Sequence, residues 1–577
     1  MMGSSVAALL GLAMLLPAAL AAPAAPAGAA APATPPEAFT ESVDVSVVNV
    51  EVYVDDRDGK RVHGLKREDF ELTEDGRPIA ISNFYAVDGE APAGTAGSIP
   101  DEQRLYLAIF FDERSLTVTA RNRMIPVLKR FVAGRLRPGD RLLLVSYNGS
   151  VKVLQGATTE PAAIDAALGK LAKGSAKGTE LMIDHRRILS DISSAASPGI
   201  PDPRSILGDV ASQTYQDIQI FAQQAHDEIR ATLGALGEFA GSLSGLPGRK
   251  AVLLVSGGMA QRPGEDLYEA WRIKFQRFSR QAGASGFDSF RQDTTRLFGE
   301  LVDHANANRV TFYTLALPQD VSGSSAEFAG DGLGSQAIGA IAAINETQPL
   351  QTLAGATGGL AAIDKTTQFL ERLRADLETY YSLGYVPTHP PDGRKHRLAV
   401  KVRDRGLSVR SREAYQARTG PEVTSSRTLS ALLLGEGGNP FGISLAVTGE
   451  TRNRKGQYEV ALLVKLPMSK VLLVPRGGTH EGRVRVFVGA RDTQGRLSAI
   501  NEILVPIHVP EAQLASLEGK DVGTRVTLLM RSGPHTVAVG VRDEIANTDS
   551  TVTATYTAGQ PAKPGGRPGG GSPGGGR

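Results

Sequence analysis

The sequence predicts a chain of mixed class, α/β plus all-β: a doubly wound sheet inserted in or flanked by a β-sandwich, followed by a C-terminal β-sandwich. Three observations carry this expectation. Residues 43–87 and 398–409 alternate apolar and polar positions, the period of strands with one buried face. Between them, continuous apolar runs such as Leu105–Phe111 alternate with stretches of helical spacing, as strands covered on both faces of a parallel sheet require. After residue 424 the chain reads as short strands punctuated by Gly, Pro and Asp.

The 577 residues suit about three to five domains at roughly 100–200 residues each. With 63 Lys+Arg against 61 Asp+Glu, the formal charge of +2 gives no global attraction to nucleic acid, so partners must be chosen by local patches. Cysteine is absent, which removes disulfides, cysteine-ligated metals and thiol catalysis together and leaves nine His and the carboxylates for such chemistry.

From the N-terminus, Val6–Leu16 is an apolar core of signal-peptide length, and Ala19-x-Ala21 offers a cleavage site. Residues 1–21 are therefore expected to be a signal peptide, and 22–40 an Ala/Pro linker. The n-region departs from the usual pattern, since Met1–Ser5 carries no Lys or Arg. No later run approaches membrane-spanning length, so no integral membrane segment is expected in the mature chain. The signal-peptide reading implies an exported protein, expected to be periplasmic, at the cell surface or secreted.

The N-terminal β segment spans 41–92: Val43–Val54 and the stretch around Phe70 and Leu72 are strands, with turns at Asp58-Gly59 and Asp75-Gly76. The α/β domain spans 103–378. Its strands are Leu105–Phe111, Arg141–Tyr147, Ala251–Val255 and Val310–Leu317, with a hairpin at Asn148-Gly149. Its helices fall at Met124–Val132, Pro161–Leu171, Ile218–Leu243, Leu297–Ala305 and Phe369–Leu377. Ser194–Leu207 and Pro318–Gly334 read as surface excursions. Residues 379–416 return to a period of two. The four or so early strands and three or so late ones each lack a second sheet, so together they should close one Ig-like sandwich of about seven strands. A separate sandwich is expected over 424–558, with strands at Tyr458–Lys465, Arg483–Ala490, Glu502–Val509, Arg525–Met530 and Thr536–Arg542, and 559–577 is a Gly/Pro-rich tail.

Four stretches, in order, carry a resemblance. They are Val50–Val54 with Gly64-Leu65, Asp69-Phe70 and Glu74-Asp75-Gly76; the strand ending Phe111-Asp112; Gly248-Arg249-Lys250 before a strand ending Ser256-Gly257-Gly258; and Tyr380–Tyr385 with Pro387. Over roughly residues 43–415 the chain resembles exported bacterial proteins with a VWFA-related domain, similar to von Willebrand factor type A. The resemblance implies a protein-binding module that uses loops at the C-terminal edge of the sheet, often across a divalent cation. That site takes a DxSxS loop, a Thr and an Asp from three loops. Here Asp112-Glu113-Arg114-Ser115-Leu116 keeps the Asp but has Arg114 and Leu116 in place of both serines, Thr179 matches the second loop, and Gly257 stands where Asp is wanted. Two of five ligands, Asp112 and Thr179, remain, and a guanidinium beside them repels a divalent ion. No cofactor is therefore expected, with Mg²⁺ or Ca²⁺ as the alternative, and Asp112 is expected to be a buried carboxylate neutralised by a cation such as Arg114. The implied partner-binding positions are Asp112, Arg114, Ser115, Thr179, Glu180, Ser256 and Met259.

Other patterns have bland readings. Trp271, Phe275 and Phe278 at i, i+4, i+7 read as an amphipathic helix burying its aromatics, and Tyr380, Tyr381 and Tyr385 as an edge or core strand. The histidines, His389 and His396 among them, form no HExxH and no i, i+4 pair, and no nucleophile elbow, P-loop or dinucleotide fingerprint occurs. The expectation is a noncatalytic exported module that binds an unidentified protein partner and no nucleic acid. The alternatives are a structural component of an envelope or surface assembly, contacted through the terminal sandwich, and a hydrolase with a dispersed site.

Overall fold

The computed structural model describes residues 47–87, 104–134, 139–195, 203–285, 288–317, 333–517 and 519–559. The expected signal peptide, the Ala/Pro linker and the tail beyond Gly559 lie outside the described residues.

The early strands are β1 (Val48–Asp55), β2 (Phe70–Glu74), β3 (Arg77–Ile79) and β4 (Asn83–Val87). The α/β domain follows with β5 (Leu105–Asp112), α1 (Val118–Ala133), β6 (Arg141–Tyr147), β7 (Val151–Thr158), α2 (Pro161–Leu171), α3 (Gly178–Ser194) and α4 (Pro203–Leu243). Next come β8 (Arg249–Ser256), α5 (Glu265–Phe275), α6 (Ser279–Ala282), α7 (Thr295–Ala307), β9 (Val310–Ala316), α8 (Leu333–Ala356), β10 (Ala361–Ile363) and α9 (Thr366–Glu378).

The sheet order is β10-β9-β8-β5-β6-β7, all parallel except the edge strand β7. Alternation along β5 sends Leu107, Ile109 and Phe111 to a core with α1, α2 and α9, and Tyr106, Ala108 and Phe110 to a second core with α4, α7 and α8. Both faces are thus covered, which is why the strands read as unbroken apolar runs. The direction of winding reverses between β5 and β8, so loops leaving these two strands diverge and open a crevice at their C-terminal ends.

Helix α4 shapes what sits above that crevice. Its 41 residues span about 60 Å at 1.5 Å per residue, more than twice the length of an eight-residue strand. The C-terminal half, from Leu233 to Leu243, packs on the sheet and leads into the start of β8. The N-terminal half therefore projects past the C-terminal edge. There it joins α3, α5 and the start of α8 in a helical cap with its own core, which includes Ile188, Tyr215, Ile218, Trp271, Phe275 and Ile338. Three of these helical stretches, 178–194, 203–217 and 333–356, were not expected from the sequence. Trp271 and Phe275 are core residues, with the Trp271 indole N–H donating to the Ala211 carbonyl at 2.8 Å.

After α9 come β11 (Tyr380–Tyr385), β12 (Lys395–Val402), β13 (Ser408–Ser411) and β14 (Ala414–Gln416). They pair with the early strands in two four-stranded sheets, β13-β1-β11-β4 and β14-β12-β2-β3. Val50 lies opposite Leu383, Val54 opposite Val409, and Leu72 opposite Val400. The sandwich has eight strands among the described residues where seven were expected, because Ala414–Gln416 pairs with the start of β12. Buried Asp376 of α9 ties the sandwich to the α/β domain: it accepts from Arg410 at 2.9 and 3.0 Å and from Arg61, which also pairs with Asp55 at 3.0 Å.

The terminal unit does not begin as strands. Residues 420–434 form helix α10, opened by a capping box of Thr419 and Glu422. Then follow β15 (Ser444–Arg452), β16 (Tyr458–Pro467), β17 (Val474–Arg476), β18 (Thr479–Asp492), β19 (Asn501–Pro510), β20 (Asp521–Met530), β21 (Gly533–Asp543) and β22 (Thr548–Ala558). Strands of up to 14 residues replace the short ones expected. The sheets β15-β16-β20 and β17-β18-β21-β22, with β19 on the other edge of β18, enclose a Val/Leu/Ile core. Helix α10 lies on the outer face, so close at Gly540 that a Cβ there would collide with the Thr428 hydroxyl.

Candidate functional site

The crevice between β5 and β8 collects most of the residues singled out from the sequence. Both strands end there in polar residues, Asp112 and Ser256. The Ser115 hydroxyl donates to Asp112 Oδ2 at 2.5 Å and the Ser256 hydroxyl to the same oxygen at 3.1 Å, while the Arg114 N–H reaches Oδ1 at 3.2 Å. Ser115 Oγ also accepts the Gly257 N–H at 2.8 Å, which stitches the two loops together. Burial pushes the Asp112 carboxyl above its usual range against these hydrogen bonds.

The expected neutralisation of Asp112 by Arg114 is not found. The guanidinium turns outward to Glu228 on α4. Hydroxyls and a backbone N–H do that work instead, which suits a carboxyl sealed from solvent better than a long, strongly solvated side chain would. Asp112, at 1% exposure, has both oxygens engaged by donors, and Leu116, where the pattern wants a serine, is a core residue.

The second loop reaches the crevice through α3. The Lys177 N–H donates to the Glu113 carbonyl at 2.8 Å and the Gly178 N–H to the Leu116 carbonyl at 3.1 Å. A Cβ at Gly178 would collide with the Ser115 carbonyl, so glycine permits this close approach. Below it, Arg121 is wholly buried. It pairs with Glu113 at 2.7 Å and donates to the carbonyls of Ala172, Gly174 and Ser175 at 3.2, 2.7 and 3.3 Å. Nothing in the sequence pattern distinguished Arg121, since its spacing is that of an ordinary helix position.

The implied partner-binding positions do not share one exposed surface. Asp112, Ser256 and Met259 are buried, Arg114, Ser115 and Thr179 are half-buried, and Glu180 is exposed. The cap causes this: the Met259 and Gln261 N–H groups donate to the carbonyls of Glu346 and Asn345 on α8, which lies over the loop after β8. Within the cap, His185 meets Asp266 at 2.6 Å, and this partner raises the imidazole above its ordinary value despite burial. Glu346 is pushed up to about 7 by burial and by the charge of Asp266.

What the edge does expose is a groove of about 780 Å³ beside the crevice. Arg114, Tyr147 and Gly149 form one wall, and one face of α4 from Gln219 to Ala231 forms the other. Ile220 stands 66% exposed on that face, among the amides of Gln219, Gln223 and Gln224 and the carboxylates of Asp227 and Glu228. A larger cleft, about 980 Å³, lies at the opposite end, between the first sandwich and the N-terminal edge of the sheet. Lys250 sits at its margin, buried, with its ammonium on the Leu246 carbonyl at 3.2 Å and its pKa lowered to about 7 by burial and by Arg309. Among the described residues, no helix is long and apolar enough to cross a membrane.

No protein-family model and no curated protein matches the chain. Solved structures that align with it include an aerotolerance-related membrane protein from Bacteroides fragilis NCTC 9343 carrying multiple mutations to serine, at 9% identity over 47% of this chain and 98% of that one, TM-score 0.21. The conserved hypothetical protein BatB from Bacteroides thetaiotaomicron aligns at 8% identity over 48% and 97%, TM-score 0.19. The human COPII-coat protein Sec24c aligns at 9% over 57% and 46%, TM-score 0.23. At these scores the likenesses carry no argument about what the chain does.

Proposed function

We propose that this chain is an exported, noncatalytic protein-interaction module of type A-like architecture, which holds a segment of a partner protein in the groove at the C-terminal edge of its central sheet. The groove carries this reading. It is concave, and it offers one large exposed apolar anchor, Ile220, ringed by side-chain amides able to pair with a partner's backbone. The Arg114–Glu228 pair bridges the two walls and fixes their spacing. The degenerate metal position plays no part in this scheme, because Asp112 is spent on holding the loops together.

Affinity capture from an envelope extract tests the proposal. The wild-type chain should retain a partner that Ile220→Glu, folded by circular dichroism, releases by at least tenfold; unchanged capture by the variant refutes the surface assignment. A second reading has its own support: Val447, Leu472, Val474, Leu504 and Leu529 are all exposed on the terminal sandwich, which suits a structural component that assembles through that unit. Deleting residues 421–577 separates the two, since the groove reading keeps partner capture and the assembly reading loses it.

A further inference from the structure

The first sandwich brings together residues that the sequence scatters. Glu74 ends β2, His396 lies near the start of β12, and His389 sits on the loop leading into β12. Pairing of β2 with β12 places Glu74 opposite Leu398, two residues from His396 and so on the same face. One ligand atom from each of Glu74, His389 and His396 lies within 4.8 Å of the other two. The imidazoles stack with centroids 3.9 Å apart and planes inclined by 17°.

Hydrogen bonds orient both rings of this cluster. His389 Nδ1 lies 3.0 Å from the Pro390 carbonyl, which makes Nδ1 an N–H donor and turns Nε2 toward Glu74 Oε1 at 3.5 Å. His396 Nδ1 lies 2.9 Å from the Asp75 carboxylate and its Nε2 3.3 Å from Asp392 Oδ1, so carboxylates hold this ring at both nitrogens. Glu74 is buried, and among the described residues its sole ion-pair partner is His389. Its Oε1 accepts the hydroxyls of Tyr385 at 2.9 Å and Tyr415 at 2.6 Å, so Tyr415 has no proton left for His389 Nε2, 3.1 Å away. Three carboxylates, Glu74, Asp75 and Asp392, thus surround two stacked imidazoles.

We propose that Glu74, His389 and His396 form a binding site for a divalent first-row transition ion of the zinc class. Three features support it. Imidazole nitrogens with a carboxylate favour such ions over Mg²⁺ or Ca²⁺, which take all-oxygen cages. Ligand bonds of about 2.0–2.1 Å in a tetrahedron put neighbouring donor atoms about 3.3 Å apart; His389 Nε2 and Glu74 Oε1 stand 3.5 Å apart, and all three ligand atoms lie within 4.8 Å of one another. Each histidine also gives its Nδ1–H to an oxygen acceptor, the second-sphere arrangement that orients a ligating ring. His389 and Tyr415 line the 980 Å³ cleft, so an ion here is reached from that cleft and not from the groove.

The test uses the mature full-length chain and Co²⁺ or Zn²⁺ alone as probe. Titration followed by Co²⁺ ligand-field absorption and by calorimetry should give one ion per chain, with Zn²⁺ displacing Co²⁺ and Mg²⁺ or Ca²⁺ leaving it in place. His389→Ala, at a half-buried position, should weaken binding at least 100-fold, Glu74→Gln should do so while keeping the tyrosine hydrogen bonds, and Asp75→Asn should cost about 10–100-fold through ring orientation. Melting curves of the apo proteins establish that each variant is folded. Three results would each overturn the site: no saturable binding at 100-fold excess of ion, binding that survives both His389→Ala and Glu74→Gln, or a spectrum with no nitrogen ligation.

Discussion

Replacing Arg121 with alanine should unlock the loops beneath the groove, and the structure sets the size of the effect. Arg121 is fully buried and is the cation that Glu113, itself 6% exposed, faces at 2.7 Å. Removing one partner of a buried pair leaves a charge without compensation and costs about 3–5 kcal/mol. The carbonyls of Ala172, Gly174 and Ser175 also lose their donor, but that loop can turn to water, so they add little. Glu113→Gln keeps the side chain's shape and leaves Arg121 on its three carbonyls, and should cost about 1.5–3 kcal/mol, the worth of a hydrogen bond to a charged group. The double variant should then lose less than the sum, by a coupling of about 1–3 kcal/mol. Urea unfolding followed by Trp271 fluorescence suits the measurement, because this single tryptophan is buried in the cap that the loops support. Limited proteolysis should in parallel show new cleavage near residues 172–177 in Arg121→Ala. A loss below 1 kcal/mol for Arg121→Ala, or strict additivity in the double variant, would refute the pairing argument.

Three further outcomes follow from other parts of the molecule. Asp376→Asn should lower stability by about 3 kcal/mol, because Arg61 and Arg410 keep only Asp55 as a carboxylate between them, and should expose the β12–β13 turn to protease; a silent variant would contradict the tie between sandwich and α/β domain. Lys250 has a folded pKa near 7, below its ordinary 10.5, so the unfolded chain binds more proton between those values; its contribution to stability is present above pH 10.5 and is lost as pH falls through 7. Wild type minus Lys250→Met should therefore gain up to about 1.4 kcal/mol per pH unit across that window, and parallel pH profiles would refute the buried ammonium. Millimolar Mg²⁺ or Ca²⁺ should not raise the melting temperature, since Asp112 is closed by hydroxyls; a rise that Asp112→Ala abolishes would show that the crevice binds these ions.

The parts of this architecture legible in the sequence are those with a strong hydrophobic period. Leu105–Phe111 and Ala251–Val255 announce strands covered on both faces, and the alternation in Val48–Val54 and Leu398–Val402 marks a sandwich sheet. Helix α8 escaped because its Ala, Gly and Gln residues spread apolar character around the axis and leave no stripe to read. Helix α10 begins Gly-Pro-Glu, which reads as a linker until the Thr419–Glu422 capping box is noticed. The cap these missing helices build decides which of Asp112, Ser115, Thr179, Ser256 and Met259 are exposed, and no local sequence pattern signals that cap. Glu74, His389 and His396 were individually visible, but only the β2–β12 register makes them neighbours.

The most direct test of the proposed role is photocrosslinking in intact cells from a reactive residue placed at Ile220, compared with the same residue at Leu504 on β19. Both positions are exposed, so accessibility does not bias the comparison. A discrete covalent adduct to one protein from position 220, absent from position 504 and lost when Arg114→Glu breaks the wall contact to Glu228, is the result the groove predicts. Adducts from position 504 with none from 220 would contradict it and assign partner contact to the terminal sandwich.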